Sequence, residues 1–501
     1  MREQLALLPR LLTAHLALSL FALLLGVCIS LPLAALASRR PWLAQLAQSA
    51  AALVQTIPSL ALLALMVPLL GALGWPSIGF LPAFIALVLY SLLPVLGNTI
   101  TALAHLPPEL TEAARGVGLD DWQQLTRVEL PLALPMIVAG VRTAAVWTVG
   151  AATLATPVGA DSLGNFIFSG LQTRNLPAVL VGCCAAAGLA LLLDGLGKLL
   201  LSGLKKRRRS WTALALAGLA ALYLYAGLAR LFARAPDTLV VGAKTFTEQY
   251  ILADLIADRL RDATQRPVRV QASLGSTVAF DALCNGDIDA YVDYTGTLWA
   301  TVLRRGAAPA DRAAMLAVIR ADLAPRGVTV AAELGFENSY ALALQRARAE
   351  SWKLRTIGDL ARVSAGLVMG ADYEFFARPE WRALQRAYGI DFRERRSMDP
   401  ALMYQALQSG AVDVISAFST DGRIAAYDLL VLEDERGAIP PYDAVVLIGR
   451  RLAQDSSARA ALAQLAHSID SERMRRANLA VDLQHRPVPD VARELGAPER
   501  R

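Results

Sequence analysis

Long apolar stretches without charged residues fill the first half of the chain and predict membrane-spanning helices. No Asp, Glu, Lys or Arg occurs in the 68 residues between Arg40 and Glu109. A helix needs about 20 apolar residues to cross a bilayer core, so this stretch holds two spans around the turn Gly71–Gly79. The other long apolar runs lie at 11–37, 132–156, 176–200 and 211–230. We therefore predict about six spans.

The second half of the chain alternates strand patterns with helical patterns. The strand patterns at 238–244 and 268–272 are each followed by a helical pattern, at 250–261 and 278–285. Later strand patterns lie at 366–369, 412–416 and 444–448. This alternation predicts an α/β domain, in which ligand sites lie at the carboxyl ends of strands.

Charge divides the chain near Pro236. Residues 1–236 contain 16 Lys+Arg and 8 Asp+Glu, so about 10% of them are charged, against about 26% of residues 237–501, which contain 33 and 35. The formal net charge of +6 is therefore the sum of a +8 apolar half and a −2 soluble half. It gives no support to nucleic-acid binding, because the basic excess lies beside apolar spans.

The basic residues of the first half predict its orientation, because cytoplasmic loops of membrane proteins are enriched in Lys and Arg. A cytoplasmic loop at 105–131 leaves Arg2, Arg10, Arg174, Arg230 and Arg234 outside. It places ten basic residues inside: Arg39, Arg40, Arg115, Arg127, Lys198 and the run Lys205–Arg209. The last span then leads outward, and the second half of the chain is extracytoplasmic.

The beginning of the chain allows one alternative. Ala35-Leu-Ala37 is similar to the cleavage site of a signal peptide. Cleavage there would place Arg115, Arg127 and the run 205–209 outside, against the charge bias. We therefore interpret residues 11–37 as a retained span.

Three charged residues fall within or at the end of predicted spans. Asp194 and Lys198 are four positions apart and are expected to pair on one helix face. Arg142 lies about a third of the way into the fourth span, where it could line a pathway or contact a second copy of the chain.

The loop between the third and fourth spans contains a specific motif. It reads Glu112-Ala-Ala-Arg-Gly-Val-Gly118 and, after nine residues, Val128-Glu-Leu-Pro131. We predict a short helix with small residues on one face, a glycine turn, and a second segment stopped by Pro131. Small residues allow a partner to dock closely. The alternative is an amphipathic connector between two spans.

This loop resembles the EAA signature of ABC importer permeases, in which it docks into a cytoplasmic ATPase. The chain has no GxxxxGK[ST] phosphate loop, so we expect a transporter subunit that is not an enzyme and a separate ATPase subunit. The resemblance also implies a permease homodimer. It implies coupling roles for Glu112, Ala113, Ala114, Gly118, Leu130 and Pro131.

Aromatic residues stand at the predicted ends of strands in the second half. They are Tyr294, Tyr340, Phe418 and Tyr442. A single tyrosine is usually a packed surface residue, but several rings around one cavity attract a cation. No GxSxG elbow, dinucleotide fingerprint or His/Cys metal spacing is present, so we predict no catalytic residue, cofactor or metal.

At these residues the chain resembles the glycine betaine/choline-type binding proteins of ABC importers, which are two-lobed. Lys-x-Phe-Thr-Glu-Gln, Tyr-Thr-Gly-Thr, Ser-Thr-Asp-Gly-Arg and Pro-Pro-Tyr occur in that order. The resemblance implies that the four aromatic residues form a box around a quaternary ammonium, with Phe418 in place of the usual Tyr. It also implies that Lys244, Thr297 and Arg378 hold a ligand carboxylate and that Asn338 lies beside the box.

These observations together predict an importer subunit in the bacterial inner membrane, surrounded by lipid. The ligand is expected to be glycine betaine, choline, carnitine or a similar compound, with ergothioneine as an alternative. A membrane-tethered sensor and a membrane-anchored enzyme are alternatives of other classes. The predicted parts are a permease domain at 1–210 with its coupling loop at 109–131, a further helix and linker at 211–236, and a binding domain at 237–501. Its first lobe is about 237–338 and 440–501, and its second lobe is about 339–439.

Overall fold

The computed structural model describes residues 2–173, 175–232, 237–305 and 311–497. The last residues of the predicted linker, 233–236, lie outside these ranges, as do Arg174 and Arg234. The chain forms two compact units. One is Met1–Phe168 with Pro177–Pro236, and the other is Ser169–Leu176 with Asp237–Arg501.

The first 232 residues are helical. The helices are α1 Arg2–Ser38, α2 Pro41–Thr56, α3 Ser59–Ala72, α4 Phe80–Ala104, α5 Pro108–Gly116, α6 Asp121–Gln124, α7 Leu130–Ala152, α8 Gly164–Gln172, α9 Leu176–Lys205 and α10 Arg209–Phe232. A π-helical turn, Leu125–Glu129, joins α6 to α7.

Within the described ranges, five helical stretches are long and apolar enough to cross a membrane. They are Leu7–Ser38, Phe80–Ala104, Asp121–Val158, Leu176–Lys205 and Arg209–Ala229. A sixth crossing requires α2 and α3 together, and these two helices meet at 97°. The bend has a local cause, since Pro58 lacks an N–H and keeps Ile57 extended, at ψ 124°.

Contacts within the helical unit show that the α2–α3 pair carries the chain from one face to the other. Arg39, after the end of α1, lies 3.2 Å from Glu129 before α7. Arg10, near the start of α1, lies 3.7 Å from Asp161, beyond the other end of α7. The backbone of Gly79, at the start of α4, donates to Val158 on that second face. The chain therefore leaves α1 on the Arg39 face and enters α4 on the opposite face, which agrees with six crossings.

The second unit contains two five-stranded sheets. Sheet A has the order β2-β1-β3-β10-β4 and sheet B has the order β7-β6-β8-β5-β9. The strands are β1 Leu239–Lys244, β2 Val268–Leu274, β3 Ala290–Tyr294, β4 Thr329–Glu337, β5 Tyr340–Gln345, β6 Val368–Ala371, β7 Glu394–Ser397, β8 Val414–Phe418, β9 Leu429–Val431 and β10 Asp443–Ile448.

Helices connect most of these strands. They are α11 Thr247–Thr264, α12 Ser276–Asn285, α13 Thr295–Thr297, α14 Arg312–Leu323, α15 Arg346–Ser351, α16 Ile357–Ala361, α17 Pro379–Tyr388, α18 Pro400–Gln408, α19 Arg423–Ala426, α20 Arg450–Ala453, α21 Ser456–Ala463, α22 Ser471–Asp482 and α23 Val488–Gly496. The predicted α/β alternation is confirmed, and most predicted strands differ from these only by one to three residues at their ends.

The chain passes twice between the two sheets. It leaves sheet A after Glu337 at the end of β4 and enters sheet B at Tyr340. It returns between Val431 in β9 and Asp443 in β10. The first strand after each passage is antiparallel to a neighbour in its new sheet. These pairs are β5 with β8 and β10 with β3. The antiparallel pairing places the beginnings of β5 and β10 at the carboxyl ends of β8 and β3.

Candidate functional site

All eight residues predicted to bind a ligand line one cavity of the second unit. They are Lys244, Tyr294, Thr297, Asn338, Tyr340, Arg378, Phe418 and Tyr442. The cavity has a volume of about 90 Å³. Since one water needs roughly 10–15 Å³ on the same scale, the cavity has room for a small organic molecule.

Strand register explains why distant aromatic residues meet. Phe418 is the last residue of β8 and pairs directly with Tyr340, the first residue of β5. In the other sheet, Tyr294 at the end of β3 pairs with Ala444, two residues after Tyr442. The predicted position of the aromatic residues at strand ends is therefore confirmed, and the two sheets present them to a common space.

Three of the four predicted box residues pack together. The ring centroids of Tyr340 and Phe418 are 5.1 Å apart, and those of Tyr340 and Tyr442 are 6.0 Å apart at 87°. These separations are typical of favourable aromatic pairs. The fourth residue, Tyr294, donates its hydroxyl proton to Glu248 and accepts a hydrogen bond of 3.1 Å from Gln249.

The glycine in Tyr-Thr-Gly-Thr has a packing role. A β-carbon on Gly296 would lie 2.5 Å from Cζ of Tyr442 and 2.6 Å from its Cε1. Glycine thus lets the Tyr442 ring lie against the α13 backbone, where any side chain would displace it. This motif fixes one wall of the cavity through close approach as well as through its tyrosine.

Lys244 lines the cavity, but its charge is already balanced. Its ammonium lies 2.5 Å from the carboxylate of Asp293, and both side chains are almost fully buried. The other carboxylate oxygen of Asp293 accepts a hydrogen bond of 2.6 Å from Tyr291. The role of Lys244 toward a ligand carboxylate stays a prediction, and the structure adds that this ammonium is part of a buried ion pair.

Arg378 is balanced in the same way. Its guanidinium lies 3.0 Å from Glu374 and 3.4 Å from the buried Glu380. It also donates to the Tyr442 hydroxyl at 3.2 Å, and that hydroxyl donates to Glu380. The guanidinium carbon is 5.3 Å from the centre of the Tyr340 ring. These contacts orient the box rings as well as the cation.

The other two predicted residues lie on either side of this group. Thr297 ends the single turn of α13 that follows Tyr294. Asn338 lies where the chain passes from β4 to β5, and its backbone N–H donates to the carbonyl of Tyr442 at 3.0 Å. Its side-chain amide donates to Glu248 at 3.0 Å.

The sequence analysis missed Glu248 as a site residue. It lies in the first turn of α11, is 3% exposed and lines the cavity. Its carboxylate accepts hydrogen bonds from Tyr294, Asn338, Thr420 and Asn478. The available signal was its place in Lys-x-Phe-Thr-Glu-Gln, the motif from which only the lysine was selected.

Among the residues that the structure describes, carboxylates outnumber cations on the cavity wall. Three basic side chains line it, Lys244, Arg378 and Arg423, and the first two are paired as described. Arg423 forms a two-pronged pair with Asp421, at 2.8 and 2.5 Å. The acidic side chains on the wall are Glu248, Glu374, Asp421 and Asp482. With Asp293 and Glu380 directly behind the wall, the cavity favours a ligand with a positive charge.

Burial shifts the pKa of several side chains in this cavity. It raises the pKa of the Tyr294, Tyr340 and Tyr442 phenols, which therefore remain neutral at physiological pH. Burial also raises the pKa of Glu248, although its four hydrogen bonds act in the opposite direction. A cation close to this carboxylate would favour its ionised form.

In the helical unit, the Glu-Ala-Ala motif forms the helix α5. Glu112 and Ala113 are exposed on it and Ala114 is buried. Gly118 ends the turn with φ at +82°, a conformation that only glycine adopts without strain. The predicted short helix and glycine turn are confirmed.

The second part of the motif differs from its prediction. Pro131 does not stop a segment, because the helix continues through it from Asp121 to Val158. The π-helical turn before it buries Glu129, which accepts a hydrogen bond of 2.6 Å from Gln124. Leu130 and Pro131 directly follow this π-helical turn, so both final motif residues lie inside a long continuous helix.

An apolar surface surrounds this loop. Leu110 is 41% exposed, Val117 77% and Trp122 71%. Exposed large apolar side chains close together indicate a contact surface for a partner. These three side chains lie outside the residues singled out from the motif, so the sequence did not predict this apolar surface.

The charged residues of the spans form a group of three. Asp194 lies 2.6 Å from Lys198, as predicted, and 2.8 Å from Arg142 on α7. Arg142 thereby ties α7 to α9. A β-carbon on Gly197 would lie 2.9 Å from Cγ of Arg142, so this glycine gives the arginine room to cross.

Comparison with known families gives two matches along the chain. Residues 237–495 match the family described as the substrate binding domain of ABC-type glycine betaine transport systems. Residues 26–206 match the binding-protein-dependent transport system inner membrane component. The two matches lie within the two predicted functional parts of the chain.

Individual relatives match one or both halves. The ergothioneine transport permease/ergothioneine binding protein EgtU of Helicobacter pylori is 31% identical over 463 residues, covering 88% of this chain and 81% of that protein. The osmoprotectant import permease OsmW of Salmonella typhimurium is 44% identical over 182 residues, 36% of this chain and 84% of that protein. A crystal structure of a glycine betaine/carnitine/choline ABC transporter is 30% identical, with a TM-score of 0.46, over 51% of this chain and 96% of that one.

Proposed function

Because the chain belongs to the glycine betaine-type ABC importers and joins their inner membrane component to their substrate-binding domain, we propose that it captures and imports a small quaternary ammonium compound. The chain is a multi-pass protein of the inner membrane. The observation that carries the proposal is the cavity at the strand ends, where packed aromatic rings meet a surplus of carboxylates.

The ligand class follows from this chemistry. A quaternary ammonium has no N–H, so it gains most from the faces of aromatic rings and from nearby negative charge. Tyr340, Phe418 and Tyr442 supply the rings. The pairs that hold Lys244 and Arg378 leave N–H groups on both residues for a ligand carboxylate, since an ammonium has three donors and a guanidinium five. Glycine betaine and carnitine fit this whole description, and choline fits its cationic part.

Ergothioneine is the second candidate. It carries a trimethylammonium and a carboxylate, as glycine betaine and carnitine do, together with an imidazole-thione ring. The observation that favours it is the H. pylori relative, which matches both halves of the chain and is named for ergothioneine.

Each part of the protein has a separate proposed role. The receptor consists of residues 237–501, with lobes at about 237–338 with 440–501 and about 339–439. The translocation domain consists of residues 1–210, and the helix and linker at 211–236 join the two. Tethering keeps the receptor at a high effective concentration near the permease.

ATP hydrolysis is assigned to a separate cytoplasmic subunit that contacts the loop 109–131. Glu112, Ala113, Ala114 and Gly118 provide the contact, and Leu130 and Pro131 join it to α7. The exposed Leu110, Val117 and Trp122 support this docking surface. A homodimer of the chain completes the proposed importer, because each chain carries a single match to the inner membrane component.

The test is calorimetric titration of the full chain, purified in lipid nanodiscs, with glycine betaine, choline, carnitine and ergothioneine. Binding of at least one compound, with uptake that requires a co-purified ATPase, is the expected result. No binding across the four compounds would contradict the ligand class. Binding without any ATPase-dependent uptake would favour a tethered sensor.

A further inference from the structure

The helix α2 has three different faces. One face packs against α1 and α4 through Leu43, Ala44, Ala47 and Ala51. A second face is apolar and exposed, with Leu46 58% and Leu53 67% exposed. The third face is a polar stripe that consists of Gln45, Gln48, Ser49, Ala52, Gln55 and Thr56. Positions three or four residues apart lie on the same side of a helix, so these six residues form one continuous stripe.

Contacts with α4 show that the polar stripe enters the membrane. The helix α2 begins two residues after Arg39, at the face where Arg39 pairs with Glu129. Further along α2, the side-chain amide of Gln55 donates to the carbonyl of Tyr90 at 3.2 Å. Tyr90 lies near the middle of the 25-residue helix α4, which is long enough to span the bilayer. The polar stripe therefore runs from the Arg39 face to about the middle of the membrane.

Lipid cannot satisfy the polar side chains of this stripe. Gln55 and Thr56 donate to backbone carbonyls, at 3.2 and 2.7 Å. Gln45 and Ser49 are exposed, and they would face hydrocarbon if nothing else covered them. Polar residues in membrane helices face other helices or a water-filled cavity, because hydrocarbon offers no hydrogen bonds. The polar stripe must therefore face water or a second copy of the chain.

A groove along the stripe favours water. It has a volume of about 400 Å³ and is lined by Gln48, Ser49, Ala52, Leu93, Gly97 and Thr101. A β-carbon on Gly97 would meet nothing within 4 Å, so the groove is open at that point of α4. A second copy would need a ridge of matching shape to fill this volume. Water fills it without one and forms hydrogen bonds with the amides and hydroxyls.

We propose that the polar stripe of α2, with Gly97 and Thr101 of α4, lines a water-filled vestibule that opens at the Arg39 face. The basic residues predict that this face is cytoplasmic, so the vestibule is where an imported solute leaves the membrane. None of the six groove residues is charged or aromatic, so a methylated zwitterion or cation passes hydrated and without tight binding. The inference rests on the proposed function for the solute, but not for the presence of water.

The first test is thiol labelling of the full chain in inside-out membrane vesicles, with the four native cysteines replaced. The probe is a methanethiosulfonate reagent with a trimethylammonium group, which has the charge of the proposed solute's head group. Gln48→Cys and Ser49→Cys should react at least about tenfold faster than Leu46→Cys and Leu53→Cys, because a thiol ionises in water and not in lipid. Equal rates on the two faces would overturn the proposal. A disulfide between two copies at Ser49→Cys would also overturn it, because the stripe would then be a contact between chains.

The second test fills the groove. Gly97→Leu should lower ATP-dependent uptake about tenfold or more and leave ligand affinity within about twofold, because it narrows the vestibule only. Gly188→Leu on α9 is the matched control, since a β-carbon there also meets nothing within 4 Å, and its uptake should stay near the original level. Equal uptake by the two variants would contradict the vestibule. If the unaltered protein imports none of the four compounds, the proposed function fails, whereas the labelling still decides whether the stripe lies in water.

Discussion

The ammonium of Lys244 lies 2.5 Å from the carboxylate of Asp293, and the two residues end neighbouring strands of one sheet. A cation chosen from its motif as a ligand contact is thus part of a buried ion pair. Arg378 repeats the pattern with Glu374 and Glu380. The wall therefore offers a ligand oriented N–H groups without an excess of positive charge, which suits a zwitterion whose cation must also be accepted.

Loss of Asp293 should destabilise the receptor strongly. Asp293→Asn leaves the Lys244 charge buried without its partner, which costs roughly 3–5 kcal/mol. Lys244→Met with Asp293→Asn should recover most of that loss, because neither charge remains. Hydrogen exchange of the β3 backbone in the full chain measures the change in opening free energy. If Asp293→Asn lowers the opening free energy no more than the double variant does, the ion pair is not important for stability.

Ligand binding should require the aromatic ring of Phe418. Adding a hydroxyl to that ring should matter little. Phe418→Ala removes one face of the box and should weaken binding of a quaternary ammonium about tenfold. Phe418→Tyr keeps the ring and should stay within about threefold. Titration of the full chain with the tightest ligand of the panel measures both. Tyr373→Ala, at a residue 68% exposed, is the control for loss of an aromatic side chain.

Two glycines of the coupling loop provide a matched pair. Gly118 has φ at +82°, whereas Gly116 is helical, and a β-carbon would meet nothing within 4 Å at either. Gly118→Ala should therefore reduce uptake through backbone strain, at about 1 kcal/mol or more, while Gly116→Ala should leave uptake near the original level. Ligand affinity should be unchanged in both. A loss of binding in Gly118→Ala would contradict the separate roles of receptor and loop.

The bent pair α2–α3 should cross the membrane once. Trp75 lies beyond the end of this pair of helices and Arg40 lies before its start. An impermeant thiol reagent added to intact cells should therefore label Trp75→Cys and should not label Arg40→Cys. The experiment needs a background in which Cys28, Cys183, Cys184 and Cys284 are replaced. Labelling of both positions from the same side would show a re-entrant pair.

Ligand affinity should depend on pH through Glu248. Burial raises its pKa, so below that pKa the empty site carries a neutral carboxyl group. A cationic or N–H-bearing ligand favours the carboxylate, so binding releases a proton there. Affinity should fall as pH falls, by at most about tenfold per pH unit, and should be constant above the pKa. Lys244, Arg378, Arg423, Asp421, Asp482 and Glu374 also line the cavity.

Glu248→Gln separates this carboxyl from those neighbours. Its affinity should be lower than that of the unaltered protein at neutral pH and should show a flatter pH profile. An unchanged profile in Glu248→Gln would assign the dependence to another carboxylate of the wall.

Local features of the sequence determined the spans and the strand ends. Charge-free runs, alternating strand and helix patterns, and the glycine at Gly118 are local features of the sequence. The apolar helices, the α/β alternation and the glycine turn that they predict are confirmed. The position of the four aromatic residues at strand ends also follows from local pattern. The break at Ile57–Pro58 was equally local, and the prediction missed it because hydropathy was counted without regard to the proline.

Tertiary structure decided which charges meet. Lys244 and Asp293 are 49 positions apart, and Glu248 collects donors from residues 46 to 230 positions away. A hydrogen bond is made or lost by changes of a few tenths of an ångström in the donor–acceptor distance. Strand register and the packing of the two sheets set that distance. The sequence by itself determined that aromatic residues stand at the strand ends of the α/β domain. Only the fold decided that Lys244 and Arg378 are paired with carboxylates and that Glu248 lines the same cavity as the rings.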